Sequence, residues 1–146
     1  MARHKQVAED VKELMRGVPL FSDCTDKELA ALAGVAKEVE HHAGDVVCKE
    51  GQSGVGMHVI AEGEVRVEVG GEIKRRLGAG SFFGEVALLD GGPRTATVVA
   101  ESPLVRTYSI TFWNFRDILS SSPDMALKML KEVCRRLREN ESSISH

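Results

Sequence analysis

The sequence predicts an α+β fold: an antiparallel β-roll (a double-stranded β-helix or jelly roll) flanked by N-terminal and C-terminal helices. Three observations carry that prediction. Apolar residues repeat with a helical period up to about residue 34, alternate along short runs over 36–110, and return to a helical period over 111–140. Glycines punctuate the middle region at Gly44, Gly51, Gly54, Gly56, Gly63, Gly70-Gly71, Gly78 and Gly80, between runs of strand length. Helix-start signals flank it, Thr25-Asp26-Lys27-Glu28 before and Ser122-Pro123-Asp124 after.

Taken in order, residues 5–16 read as an amphipathic helix with Val7, Val11, Leu14 and Met15 on one face and Gly17 as its stop. Leu20-Phe21 follow Pro19 as an apolar plug. The Thr25/Glu28 capping box opens a second helix that carries Leu29 and Leu32 and ends near Gly34. Strands are predicted at Glu38–His42, Asp45–Cys48, Met57–Ala61, Val65–Val69, Glu72–Leu77, Ala96–Ala100 and Leu104–Ile110. In the fourth, Val65, Val67 and Val69 face one way and Arg66 and Glu68 the other. Phe112, Phe115, Ile118 and Leu119 form one face of a short helix. Ser122 then caps the last helix, with Pro123 in its first turn and Asp124 at the positive end of the dipole. Its apolar stripe is Ala126, Met129, Leu130, Val133 and Leu137. That stripe is expected to pack on the chain's own roll; its other uses would be a mobile lid or a seam for a second copy or a protein effector.

Composition bounds the function. At 146 residues, 42% hydrophobic and 28% charged, the chain 1–146 is a single globular domain with enough material for a core. A net charge of −3 argues against a general nucleic-acid binder. No apolar run is long enough to span a bilayer, and no apolar stretch follows the charged start Met1-Ala2-Arg3-His4-Lys5. Cys24, Cys48 and Cys134 are odd in number and scattered, the usage of a reducing compartment. A cytoplasmic protein with no membrane contact is expected.

The segment 80–98 carries the chemistry. Gly84 opens a short helical run between strands, where a glycine lets backbone amides approach a ligand and a helix start presents unpaired N–H groups to an anion. Arg94, beyond the Gly91-Gly92-Pro93 turn, can fold back toward that helix start. A guanidinium with several amides receives one phosphate well. Glu85 suits a hydroxyl of the same ligand, as on a ribose. The competing arrangement is a surface turn with Glu85 paired to Arg94.

This segment resembles the phosphate-binding cassette of the cyclic-nucleotide-binding domain family, whose pattern is F-G-E-x-A-L-L followed by P-R-[TSA]-A-[TS]-V. Phe83-Gly84-Glu85-Val86-Ala87-Leu88-Leu89 and Pro93-Arg94-Thr95-Ala96-Thr97-Val98 hold every element in order. The resemblance extends to Pro19-Leu20-Phe21, Thr25–Leu32, Gly44-Asp45, Glu50-Gly51, Val59-Ile60, Gly63-Glu64-Val65 and the final helices. It implies that Gly84, Val86 and Ala87 offer backbone to a cyclic nucleotide monophosphate, that Glu85 takes the ribose 2′-hydroxyl, and that Arg94 takes the cyclic phosphate with help from Thr95 and Ala96. His58 departs from the family, which often has Tyr or Phe there. The implied function is a non-enzymatic sensor with cyclic AMP or cyclic GMP as ligand and no cofactor.

The base is open. A Thr95 hydroxyl can accept from the 2-amino group of guanine. Arg75, between Ile73 and Leu77, would share their inward face by alternation and suit guanine O6 and N7. The alternative is a register break that turns Arg75 out with Lys74 and Arg76. Other classes fare worse. A metal-dependent jelly-roll enzyme needs converging ligands, yet His41 and His42 are adjacent, so they point to opposite faces, and His4 and His146 lie at the termini. An effector-domain fragment of a catabolite-activator-type transcription regulator stays open; Arg135, Arg136 and Arg138 read as a solvated cationic helix end, with no nucleic-acid contact by this chain alone.

Overall fold

The computed structural model describes residues 2–53 and 56–144, so Gly54 and His146 lie outside the described residues, as does the side chain of His4. Helix α1 spans Ala2–Arg16 and α2 Asp26–Val35, with a 3-10 turn at Pro19–Phe21 between them. The strands follow: β1 Lys37–His42, β2 Val46–Cys48, β3 Gly56–Glu62, β4 Val65–Val69, β5 Glu72–Leu77 and β6 Phe82–Phe83. Helix α3 (Glu85–Asp90) interrupts them before β7 (Thr97–Ala100) and β8 (Leu104–Thr111). Helices α4 (Phe112–Ser121) and α5 (Pro123–Ile144) complete the order. Helices, roll, helices is the predicted plan, with α5 running past residue 140.

The strands form two four-stranded antiparallel sheets, β1-β8-β3-β6 and β2-β7-β4-β5. Val65 and Val67 point between the sheets, while Val69 is more exposed than the alternation predicts because it sits at the turn into β5. Between the sheets Ile60, Val65, Val98, Ala100 and Val105 make a small core. A larger core lies on the other side of the first sheet. There Met57, Val59 and Ile110 meet Val11 and Met15 of α1, Phe21, Leu29 and Leu32, and Phe115 of α4. Phe21 and Phe115 tilt against each other at 5.9 Å between ring centroids.

The capping box forms as read. Thr25 Oγ1 accepts from the Glu28 N–H at 3.2 Å, and Glu28 Oε1 accepts from the Thr25 N–H at 2.8 Å. The same helical turn holds both ends of the chain. Asp26 takes the Lys12 ammonium of α1 at 2.8 Å, and Glu28 takes Lys128 of α5 at 2.7 Å. The Lys12 hydrogen bond keeps the Asp26 carboxyl below the usual carboxylate range, and the Lys128 hydrogen bond does the same for Glu28.

Two expectations need correction. The stripe on α5 is split: Met129 is buried with Met125 in the helix-side core, whereas Leu130 and Leu137 stand in solvent. The helix sits with its methionine edge inward, rotated from the centre of its apolar arc. In the second sheet a bulge between Val67 and Glu68 shifts the register, so that Val67 faces Arg75 but Glu68 faces Ile73. Arg75 keeps the inward face with Leu77; Ile73 is thrown outward.

Candidate functional site

A cleft of about 420 Å³ opens at the end of the roll between the second sheet and the segment 80–96. Gly84, Glu85, Val86, Ala87, Arg94, Thr95, Ala96 and Arg75 all line it, so the eight residues singled out from sequence come together on one surface. Cys48, Val67, Phe83 and Val98 supply an apolar floor.

Gly84 sets the geometry. It takes the left-handed conformation, φ 83° and ψ 14°, as the residue preceding α3. A Cβ there would overlap Nη1 of Arg94 and lie 2.8 Å from the Gly56 carbonyl oxygen. Only a residue without a side chain lets the guanidinium lie on the backbone at the start of α3. The N–H groups of Glu85, Val86 and Ala87 are the first-turn donors for which a helix has no internal acceptor. Arg94 is held at its backbone: its N–H donates to Gln52 O at 2.8 Å, and its carbonyl accepts from the Gly51 N–H at 2.9 Å. Its Nη1 is buried and has no hydrogen-bond partner among the described residues. A buried guanidinium nitrogen without an acceptor is costly by itself and favourable against an anion.

Behind this wall lies His58. It pairs with Phe83 across β3 and β6, and the two rings stack at 5.0 Å with 13° between planes. His58 Nδ1 and Thr107 Oγ1 share a hydrogen bond of 3.0 Å. Burial, with the Arg94 charge adding to it, pushes the imidazole down to about pKa 3. A neutral, stacked His58 thus fills the place of the family's aromatic residue. His41 is also pushed down, chiefly by burial, and its Nε2 is buried without a hydrogen-bond partner among the described residues.

Glu85 does not pair with Arg94. Its Oε2 accepts from Arg136 Nη2 of α5 at 3.3 Å, with both side chains partly buried. Reading Arg136 as a solvated helix end is therefore wrong: it ties α5 to the cassette. The only sequence signal was position, since Arg136 shares a helix face with the inward Met125 and Met129. Among the described residues, none of α5 lines the cleft.

The family model described as cyclic nucleotide-binding domain matches residues 38–122. A cyclic nucleotide-gated potassium channel of Rhizobium etli is 36% identical over 126 residues, covering 85% of this chain and 34% of the channel. The potassium/sodium hyperpolarization-activated cyclic nucleotide-gated channel 2 of Homo sapiens is 33% identical over 84% of this chain and 14% of its own length. The chain thus spans about a third or less of these channel relatives. Among solved structures, the N-terminal domain of a transcriptional regulator from Streptomyces coelicolor A3(2) superposes with a TM-score of 0.81 at 30% identity, over 88% of this chain and 95% of that one. A regulatory subunit of a cAMP-independent protein kinase A from Trypanosoma brucei, in a mutant bound to cAMP, shares the fold with a TM-score of 0.73 at 24% identity, over 80% of this chain and 43% of that one. Built around the cassette and matched over more than half its length, the chain belongs to the cyclic nucleotide-binding domain family.

Proposed function

We propose that this domain binds a cyclic purine nucleotide in the cleft and acts as a non-catalytic sensor in the cytoplasm. The observation that carries the reading is the buried, unpartnered Nη1 of Arg94 beside the first-turn amides of α3. A cyclic phosphate supplies the missing acceptor, with Thr95 and Ala96 beside it. Glu85 keeps Oε1 for the ribose 2′-hydroxyl, and the Arg136 guanidinium offsets the repulsion between that carboxylate and the phosphate. Arg75, on the inward face opposite Val67, and Thr95 read the base edge. No nucleophile and general base stand together in this constellation. Among the described residues no helix is long and apolar enough to cross a membrane.

Arg136 makes α5 the switching element, because a ligand moves a protein only through unequal affinity for two states. Met125 and Met129 are its anchor, so the part that moves is the segment from Leu130 onward. Isothermal titration with cyclic AMP, cyclic GMP and 5′-AMP tests the reading. Either cyclic nucleotide should bind and 5′-AMP should bind far more weakly; no heat with any of them overturns it. Amide exchange should slow over residues 130–140 when the ligand is saturating. Slowing confined to 80–98 would rule out α5 as the switch. A second reading of the output, as the effector domain of a transcription regulator, is favoured by the match to the Streptomyces domain.

A further inference from the structure

Helix α5 presents a second apolar face that the fold does not use. Leu127, Leu130 and Leu137 are 53%, 62% and 56% exposed, and Cys134 between them is exposed and free. At about 100° per residue these four side chains fall within an arc of about 80°. The buried Met125 and Met129 lie on the far side of the helix. The spacing of three, four and three residues is that of a heptad seam, with Leu127 and Cys134 at a, and Leu130 and Leu137 at d. Lys131 and Arg138 then fall at e, beside the seam, and among the described residues neither has an ion-pair partner, unlike Lys128, Arg135 and Arg136 on the same helix. The g positions Val133 and Asn140 carry no charge.

We infer that this face docks an amphipathic helix of an effector protein, one with an apolar seam and acidic residues along the flank that meets Lys131 and Arg138. The charge pattern decides against a second copy. In a parallel pair of α5 helices Lys131 and Arg138 would face uncharged g positions, and in an antiparallel pair they would face their own kind. An acidic flank gives both cations a counter-charge and leaves the leucines their seam. Self-association satisfies only the leucines. The inference goes beyond nucleotide binding and does not need it, since the face lies away from the cleft.

The test uses two dye-labelled synthetic heptad peptides, each with leucine at a and d, one with glutamate and the other with lysine at e and g. Fluorescence anisotropy at low salt should show the glutamate peptide binding the wild-type chain at least about tenfold tighter than the lysine peptide. Leu127→Glu, on the same seam but before the segment that moves, should lose that binding by at least about tenfold while its circular dichroism and cyclic-nucleotide titration stay as in wild type. Lys131→Glu with Arg138→Glu should reverse the preference between the peptides. Equal binding of the two peptides, or of neither, overturns the inference. So does a wild-type chain that sediments as a dimer and dissociates on Leu127→Glu, because the face would then belong to a second copy. Loss of nucleotide binding alone leaves these readouts unmoved.

Discussion

Among the described residues, sixteen buried apolar side chains pack between the first sheet and the helices, against eight between the two sheets. The larger set is closed on every side: Phe21, Phe115, Leu29 and Met57 are covered by α1, α2, α4 and α5. The smaller set is open at one end. Cys48, Val67, Phe83 and Val98 belong to it and also floor the cleft. Stability and ligand affinity are thus separable in the helix-side core and entangled in the roll. The polar atoms follow the same division. Around the helices, cations such as Lys12 and Lys128 have carboxylate partners, whereas at the mouth of the roll Arg94 Nη1 has none.

The largest effect should come from Phe115→Ala. It removes a fully buried ring against Phe21 and should cost about 3–5 kcal/mol of unfolding free energy by urea denaturation. The folded fraction should keep wild-type nucleotide affinity; a large loss of affinity would mean that the two cores are coupled. Arg94→Ala should do the reverse. It should weaken nucleotide binding by about 2–5 kcal/mol, on the order of 30-fold to over 1,000-fold in Kd by titration. Thermal stability without ligand should hold or rise, because an unpaired buried cation is gone. A change in Kd below about threefold with the fold intact would remove the phosphate assignment.

His58 sharpens the comparison through pH. Its imidazole protonates near 6.5 in an unfolded chain and near 3 in the fold, so between those values the unfolded state holds more protons. The contribution of neutral His58 is complete above pH 6.5 and declines as pH falls toward 3, by up to about 1.4 kcal/mol per pH unit. In His58→Phe the stack on Phe83 survives and that part of the slope should vanish from a pH series of urea melts. An unchanged slope would assign the acid sensitivity to carboxylates such as Asp26 and Glu28, whose lowered values act in the same direction.

Glu85→Gln should weaken nucleotide binding by about 1–2 kcal/mol through loss of a charge-assisted hydrogen bond. A 2′-deoxy ligand should lose affinity for wild type and little more for the mutant; additive losses would take Glu85 off the sugar. The smallest effects concern the base. Thr95→Ala and Arg75→Ala should each weaken cyclic GMP more than cyclic AMP, by up to about tenfold in the ratio of Kd values. Equal losses for both nucleotides would deny these residues a part in base reading.

Much of this was legible in the sequence, for local reasons. The Thr25/Glu28 box and the Gly84–Arg94 cassette are encoded in residues a few positions apart, so their geometry is written in short spacings. What escaped depends on distant pairing. Phe82–Phe83 is a two-residue strand, too short to show alternation, and exists because β3 runs beside it. The bulge that separates Ile73 from Arg75 appears only in the register with β4. Arg136 finds Glu85 across 51 positions, and the split of the α5 stripe follows from which edge of the helix meets the core.

The close fit of Arg94 on Gly84 divides the cleft for anyone who would re-engineer its ligand. Position 84 admits no library, since any Cβ would displace the guanidinium. Ala87, on α3, is nearly as constrained, being buried at 5% exposure. Val86, Thr95 and Arg75 are exposed and line the cleft. Randomising those three positions would explore new bases, while Arg94 and the first-turn amides of α3 are inherited by every clone.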